Sequence, residues 1–172
     1  MSMTAFAAEA PKGTLTVNNT VAGKTLDLYQ IFTATKSGDN VAYTLNSAYE
    51  GFFKTKVDNG SSLSGEALSE AAYNYVNAQV GTDGSNGAEF AKAILGWILE
   101  NNATVDATHT TATTTDGTTV INNLAYGYYV VYPLGATDTS AAPGTGQDYT
   151  SVASLVSVTD TNATVNMKSN YP

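Results

Sequence analysis

The hydrophobic period changes twice along this chain, from the two-residue alternation of strands to helical spacing and back. Residues 13–17 alternate (Thr14, Leu15, Thr16, Val17), and residues 24–34 form a long run of β-branched and aromatic side chains. Asn18, Asn19 and Gly23 supply turn residues between them. Ser37-Gly38-Asp39-Asn40 then leads into a third strand-like run at 41–45. From 64 to 80 the apolar positions Leu68, Ala71, Ala72, Tyr75, Val76 and Val80 recur at helical spacing. Phe90, Ile94, Leu95, Trp97 and Ile98 do the same over 87–101. Ser64 and Gly81 stand where the first helix needs caps, and Asn86 with Glu89 has capping-box spacing for the second. Strand-like text returns at 119–124, 128–134, 152–158 and 163–167, with a Gly/Ser/Ala/Pro loop at 135–147. Strands, then helices, then strands argue against alternating βαβ units. The order predicts an α+β fold or a β-sandwich with a helical insertion.

Composition narrows the function classes. The 172 residues suit one domain, or at most two small ones, and such a chain buries about two thirds of its unfolded surface. Fifteen acidic residues oppose seven basic ones, all lysine, for a net charge of −8. That balance speaks against nucleic acid, whose phosphates need a basic face, and against anionic membrane surfaces. Without arginine there is no bidentate clamp for phosphate or carboxylate. Without cysteine there are no disulfides, thiolate nucleophiles or zinc–thiolate sites. No run approaches the ~18 apolar residues of a membrane span. Residues 1–10 read as an export-signal remnant or a flexible tail: Ala5-Phe6-Ala7 offers small residues at the two positions a signal peptidase needs, with the cut before Ala8. Residues 11–172 read as a single domain.

Catalytic constellations are sparse. His109, the only histidine, sits in a Thr/Ala-rich stretch (103–119) and reads as a solvated loop residue. A Ser–His–carboxylate triad would have to use it, and no G-x-S-x-G elbow is present. The acidic residues fall mostly in turns (Asp39, Asp58, Asp83, Asp116, Asp138, Asp160) or on helical polar faces, as solvated charges do. None forms the spaced ladder of a calcium loop, and no phosphate-cradling glycine motif occurs. The expectation is a non-enzymatic protein with no cofactor and no metal.

Three passages carry more specific information: GTLTVNNTVAGKTLDLYQIFTA from Gly13, LAYGYYVVYPLG from Leu124, and NATVNMKSNYP from Asn162. Together, in this order and spacing, they resemble the N-terminal domain of Gram-positive shaft pilins, the isopeptide-forming fimbrial subunits polymerised by sortases. Tyr29 to Phe32 resembles the centre of the family's opening strands, and Gly127-Tyr128-Tyr129 its Gly-Tyr-Tyr strand. The two helices match the insertion seen in such domains.

The resemblance implies a mainly β fold, an Ig-like antiparallel sandwich with two inserted helices, in an extracellular cell-wall-anchored fimbria. It implies as partners neighbouring subunits, a pilin-specific sortase and a host surface ligand. In the family a lysine near the end of the domain attacks the sortase-held C-terminus of the next subunit. The usual acceptor motif ends V-Y-P-K; here Leu134 follows Val131-Tyr132-Pro133, one strand too early, and the resemblance implies as acceptor Lys168, which stands at about the family's place without the consensus around it. An intramolecular Lys–Asn bond, assisted by a buried carboxyl, would use Lys24, Asn166 and Asp27. The alternative is an adhesin module binding host glycan or protein. Eleven tyrosines supply stacking surfaces, with Tyr126, Tyr128, Tyr129 and Tyr132 together, although alternation turns Tyr128 and Tyr129 to opposite faces.

Overall fold

The computed structural model describes residues 10–81, 84–136 and 153–167, at 84–86 by backbone alone. The export-signal reading at 1–10 and Lys168 fall wholly or almost wholly outside the described residues, as does most of the 135–147 loop. Among the described residues eight strands form: β1 (Lys12–Thr20), β2 (Thr25–Ser37), β3 (Asn40–Leu45), β4 (His109–Thr113), β5 (Gly117–Ala125), β6 (Gly127–Pro133), β7 (Ser154–Val158) and β8 (Ala163–Asn166). Four helices lie between β3 and β4: α1 (Glu50–Phe53), α2 (Gly65–Val80), α3 (Gly84–Glu100) and α4 (Asn102–Val105).

The strands make two sheets. One has the order β5-β1-β8, the other β3-β2-β6-β7 with β4 also on β2. β3 and β4 share one edge of β2, end to end. β4 pairs with Thr25 to Tyr29, and β3 with Phe32 to Ser37. The fold is the expected mainly β sandwich with inserted helices, with one departure. β1 and β8 run parallel, from Leu15↔Ala163 to Asn18↔Asn166, while the other pairings are antiparallel.

Alternation along β2 and β6 builds two cores, one on each face of the larger sheet. Leu26, Leu28, Tyr129 and Val131 turn toward the smaller sheet and meet Leu15, Val17 and Val158. Tyr29, Ile31, Phe32, Val130 and Tyr132 turn the other way, onto Leu68, Val76, Ile94 and Ile98 of the helices. The molecule is therefore three layers deep: sheet, sheet, helices. Of the tyrosine cluster in the alternative reading, Tyr129 and Tyr132 are almost wholly buried in different cores, while Tyr126 and Tyr128 stay partly exposed.

Local signals fared unevenly. Gly23 (φ 80°) makes its turn, but Asn18 and Asn19 stay within β1, where Asn19 (φ 64°) forms a bulge. Ser64 occupies the cap position of α2, yet its side chain makes no capping bond. α3 begins at Gly84, ahead of Asn86, so Asn86 does not cap it. Its place was set by packing of the apolar stripe, since Phe90, Ile94, Leu95 and Ile98 are all buried.

Gly127 opens the Gly-Tyr-Tyr strand for a steric reason. β2 bulges between Gln30 and Phe32, opposite the start of β6. A Cβ on Gly127 would strike the carbonyl oxygen of Phe32 and come within 2.8 Å of the Gln30 Nε2. Because the obstacle is backbone in the middle of a sheet, it cannot swing aside. Gly127→Ala should lose about 1–3 kcal/mol of stability in chemical denaturation, the usual cost of overpacking. A midpoint equal to that of the parent would show that the bulge relaxes freely.

Candidate functional site around Asp27 and His109

The Thr-rich stretch is not a loop. Its β-branched residues form β4, and the register places His109 directly opposite Tyr29. The two rings stack at 4.7 Å with 12° between their planes. Asp27, two residues before Tyr29 on the same face, sits diagonally across, and its Oδ1 lies 2.6 Å from His109 Nε2. The expectation of a solvated histidine is thus corrected: the side chain keeps 28% of its surface exposed, against 10% for Asp27.

Phenols surround this pair. Burial, then the Asp27 carboxylate, then Tyr132 push the Tyr29 pKa up to about 12. Burial raises Tyr49 further, opposed by its 2.5 Å hydrogen bond with Thr108. Thr108 Oγ1 also donates to the Val105 carbonyl at 2.8 Å. These phenols therefore stay protonated at ordinary pH. Chemically the arrangement can orient β4 on β2.

The proposed Lys24–Asp27–Asn166 trio is not brought together. Asp27 projects from the helix side of the larger sheet, since Leu26 and Leu28 beside it take the inter-sheet side. Asn166 lies on the outer face of the smaller sheet, where its Oδ1 accepts from Asn18 Nδ2 at 3.0 Å. The full thickness of the sandwich separates carboxyl from amide. Interior positions on β1 and β8 are instead apolar, with Leu15 and Val17 fully buried.

Lys24 takes part in a different arrangement. Its N–H donates to Thr114 Oγ1 at 2.8 Å, its carbonyl accepts from Thr114 N–H at 2.8 Å, and the Thr114 hydroxyl also bonds to the Val21 carbonyl. Nearby, Thr20 Oγ1 donates to the Thr115 carbonyl at 2.7 Å and lies 2.8 Å from Thr119 Oγ1. Thr20, Thr114 and Thr119 are all buried. This threonine clasp ties the β1–β2 turn to the β4–β5 turn.

The Asp27–His109 pair has a measurable structural weight. An exposed ion pair contributes only about 0–1 kcal/mol. Here, removing the imidazole leaves a nearly buried carboxylate without that partner, for which about 1–3 kcal/mol is expected. His109→Ala should therefore destabilise the chain by that amount in denaturant titration, and adding Asp27→Asn should recover part of it. A loss below about 0.5 kcal/mol would place the pair with ordinary surface ion pairs.

No family model matches the chain, and no curated protein matches it. Among solved structures the chain is similar to the T6 backbone pilin of serotype M6 Streptococcus pyogenes, described as a modular three-domain structure decorated with variable loops and extensions. The TM-score is 0.47 at 14% identity, over 97% of this chain and 30% of that one, so this chain spans less than a third of that pilin's length.

Proposed function

We propose that this chain is a structural domain of a covalently assembled cell-surface pilus shaft, built to carry tension between neighbouring subunits. The observation that carries this reading is the parallel pairing of β1 with β8. Two parallel strands enter at one pole and leave at the other. Tension on the start of β1 and the end of β8 therefore loads their hydrogen bonds in shear, all at once, rather than peeling them singly. Met167 N–H extends the pairing by bonding to the Asn18 carbonyl at 3.1 Å, and the Asn18–Asn166 side chains bridge the same end. The sequence passages that resemble shaft pilins support the reading, and they fall on the elements that make the frame: Tyr29 to Phe32 on β2, and Gly127 to Tyr129 on β6.

Force spectroscopy tests the mechanical claim directly. Handles at the two chain ends should require several-fold more force to unfold the domain than handles at Lys12→Cys and Ala125→Cys. Those two positions face each other at one end of the β1–β5 pair and would open it like a zip. The absence of native cysteine makes the handles unique. Equal forces in both geometries would remove the load-bearing role.

Lys168 is our proposed acceptor for the sortase-made bond, because it follows β8 closely in sequence and the shaft-pilin resemblance puts the acceptor lysine near the end of the domain. The acceptor amine must reach the sortase-held acyl group, give up its proton and displace the enzyme's sulfur, so the role requires access rather than burial. In the full-length subunit with its sortase, Lys168→Ala should abolish high-mass covalent polymers, and Lys36→Ala should leave them intact. Normal ladders from the Lys168 variant would assign the linkage elsewhere.

A further inference from the structure

The larger sheet has one edge with a groove beside it. β3 ends the sheet, and α2 lies along its far side, leaving a groove of about 700 Å³ lined by β3, Glu50 and one face of α2. Hairpin geometry decides which backbone groups face this groove. The two-residue turn Gly38-Asp39 closes on the Ser37↔Asn40 pair, so Asn40, Ala42 and Thr44 direct their backbone groups to β2. Val41, Tyr43 and Leu45 direct theirs outward. Leu45 bears this out, since its N–H donates to Ser69 Oγ of α2 at 2.8 Å.

Folded proteins usually blunt such an edge with a bulge, a proline or an inward-pointing lysine. Among the described residues only the Leu45 end is closed. The walls beside Val41 and Tyr43 are firm, because the Tyr43 ring stacks on Tyr73 of α2 at 4.9 Å and its hydroxyl bonds to Ser157 at 2.6 Å. The groove is also charged in one sense. Glu50, Glu66 and Glu70 line it, and no lysine does. Glu66 and Glu70 are exposed and stand one helical turn apart, a like-charge spacing that weakens a helix slightly.

We propose that this groove receives an extended, lysine-bearing peptide segment of a partner protein, added as a further strand on β3. The backbone of the segment pairs with Val41 and Tyr43, and its alternate side chains reach Glu66 and Glu70. Main-chain pairing supplies the affinity and the acidic wall selects the charge. An acidic or neutral strand gains the first and not the second. This inference stands apart from the shaft reading: it concerns the β3 edge of the larger sheet rather than the β1–β8 pairing, and holds or fails independently of it.

The probe is an acetylated, amidated peptide of alternating lysine and valine, added to the folded chain at low ionic strength. Binding should slow amide exchange at Val41 and Tyr43, and should weaken as salt rises. The same peptide N-methylated on alternate residues cannot complete the ladder and should bind at least about ten-fold more weakly. Glu66→Gln with Glu70→Gln should weaken binding by roughly three- to ten-fold, while a distant control, Glu100→Gln, leaves it unchanged. A peptide of alternating glutamate and valine should bind at least about ten-fold more weakly than the lysine peptide, and equal affinity would overturn the charge selection. Equal affinity for the N-methylated peptide would overturn strand addition in favour of simple charge attraction, as would unaltered exchange at Val41 and Tyr43. Indifference to the two glutamates would overturn the charge selection.

Discussion

The pairing of β2 with β6 is the constraint on which the rest of this structure depends. Both strands are apolar on both faces, so the sheet they form must be covered twice. A fully buried aliphatic or aromatic side chain contributes about 1.5–3 kcal/mol relative to exposure. Leaving either face open would therefore forfeit several such terms and expose a sticky surface. The smaller sheet covers one face and α2 with α3 cover the other. The helical insertion is thus the second half of the core, not an ornament on a sandwich. The bulge between Gln30 and Phe32 serves the same end, since it brings Ile31 and Phe32 both onto the helical side.

From that covered sheet follow its edges. β2 offers one long edge, and β4 takes its first half, held by the His109 stack on Tyr29 and the bond to Asp27. β3 takes the second half through a two-residue turn. Since β4 returns from the helical layer by way of α4, its approach is fixed by the helices. β3 answers to its hairpin, to α2 and, through the Tyr43 hydroxyl, to Ser157 of β7, and among the described residues its outer side carries no neighbouring strand.

Much of this frame was legible in the sequence, and what was not has physical reasons. β2 and β6 are written as dense β-branched and aromatic runs, and the two main helices as apolar stripes at helical spacing. Those signals are local and strong. β4 was hidden because HTTAT lacks an apolar face: its residues are mostly exposed and it pairs by backbone along an edge. Its one clue was the concentration of β-branched threonine. The Asp27–His109 contact joins residues 82 apart and could not be seen before the register of β4 on β2 was known. The same holds for Asn166, whose alternation on β8 decides that it points outward and so away from any buried lysine. The parallel sense of β1 and β8 is likewise a product of topology, since neither strand's text distinguishes a parallel from an antiparallel neighbour.

The threonines gain their meaning from that topology. β1 is the middle strand of its sheet, flanked along its length by β5 and at its second half by β8. Dragging β1 along its own axis would break both sets of backbone bonds, and would also have to draw Thr20 away from Thr115 and Thr119. Each such hydrogen bond contributes only about 0.5–1.5 kcal/mol net to stability. Resistance to shear, however, depends on how many bonds yield together, and the clasp adds its bonds at the end of β1 nearest the close of β8. A disulfide would fasten the same turns with one covalent link. In a chain without cysteine, buried hydroxyls on β-branched residues hold them instead, and they fit the pleat as they do so.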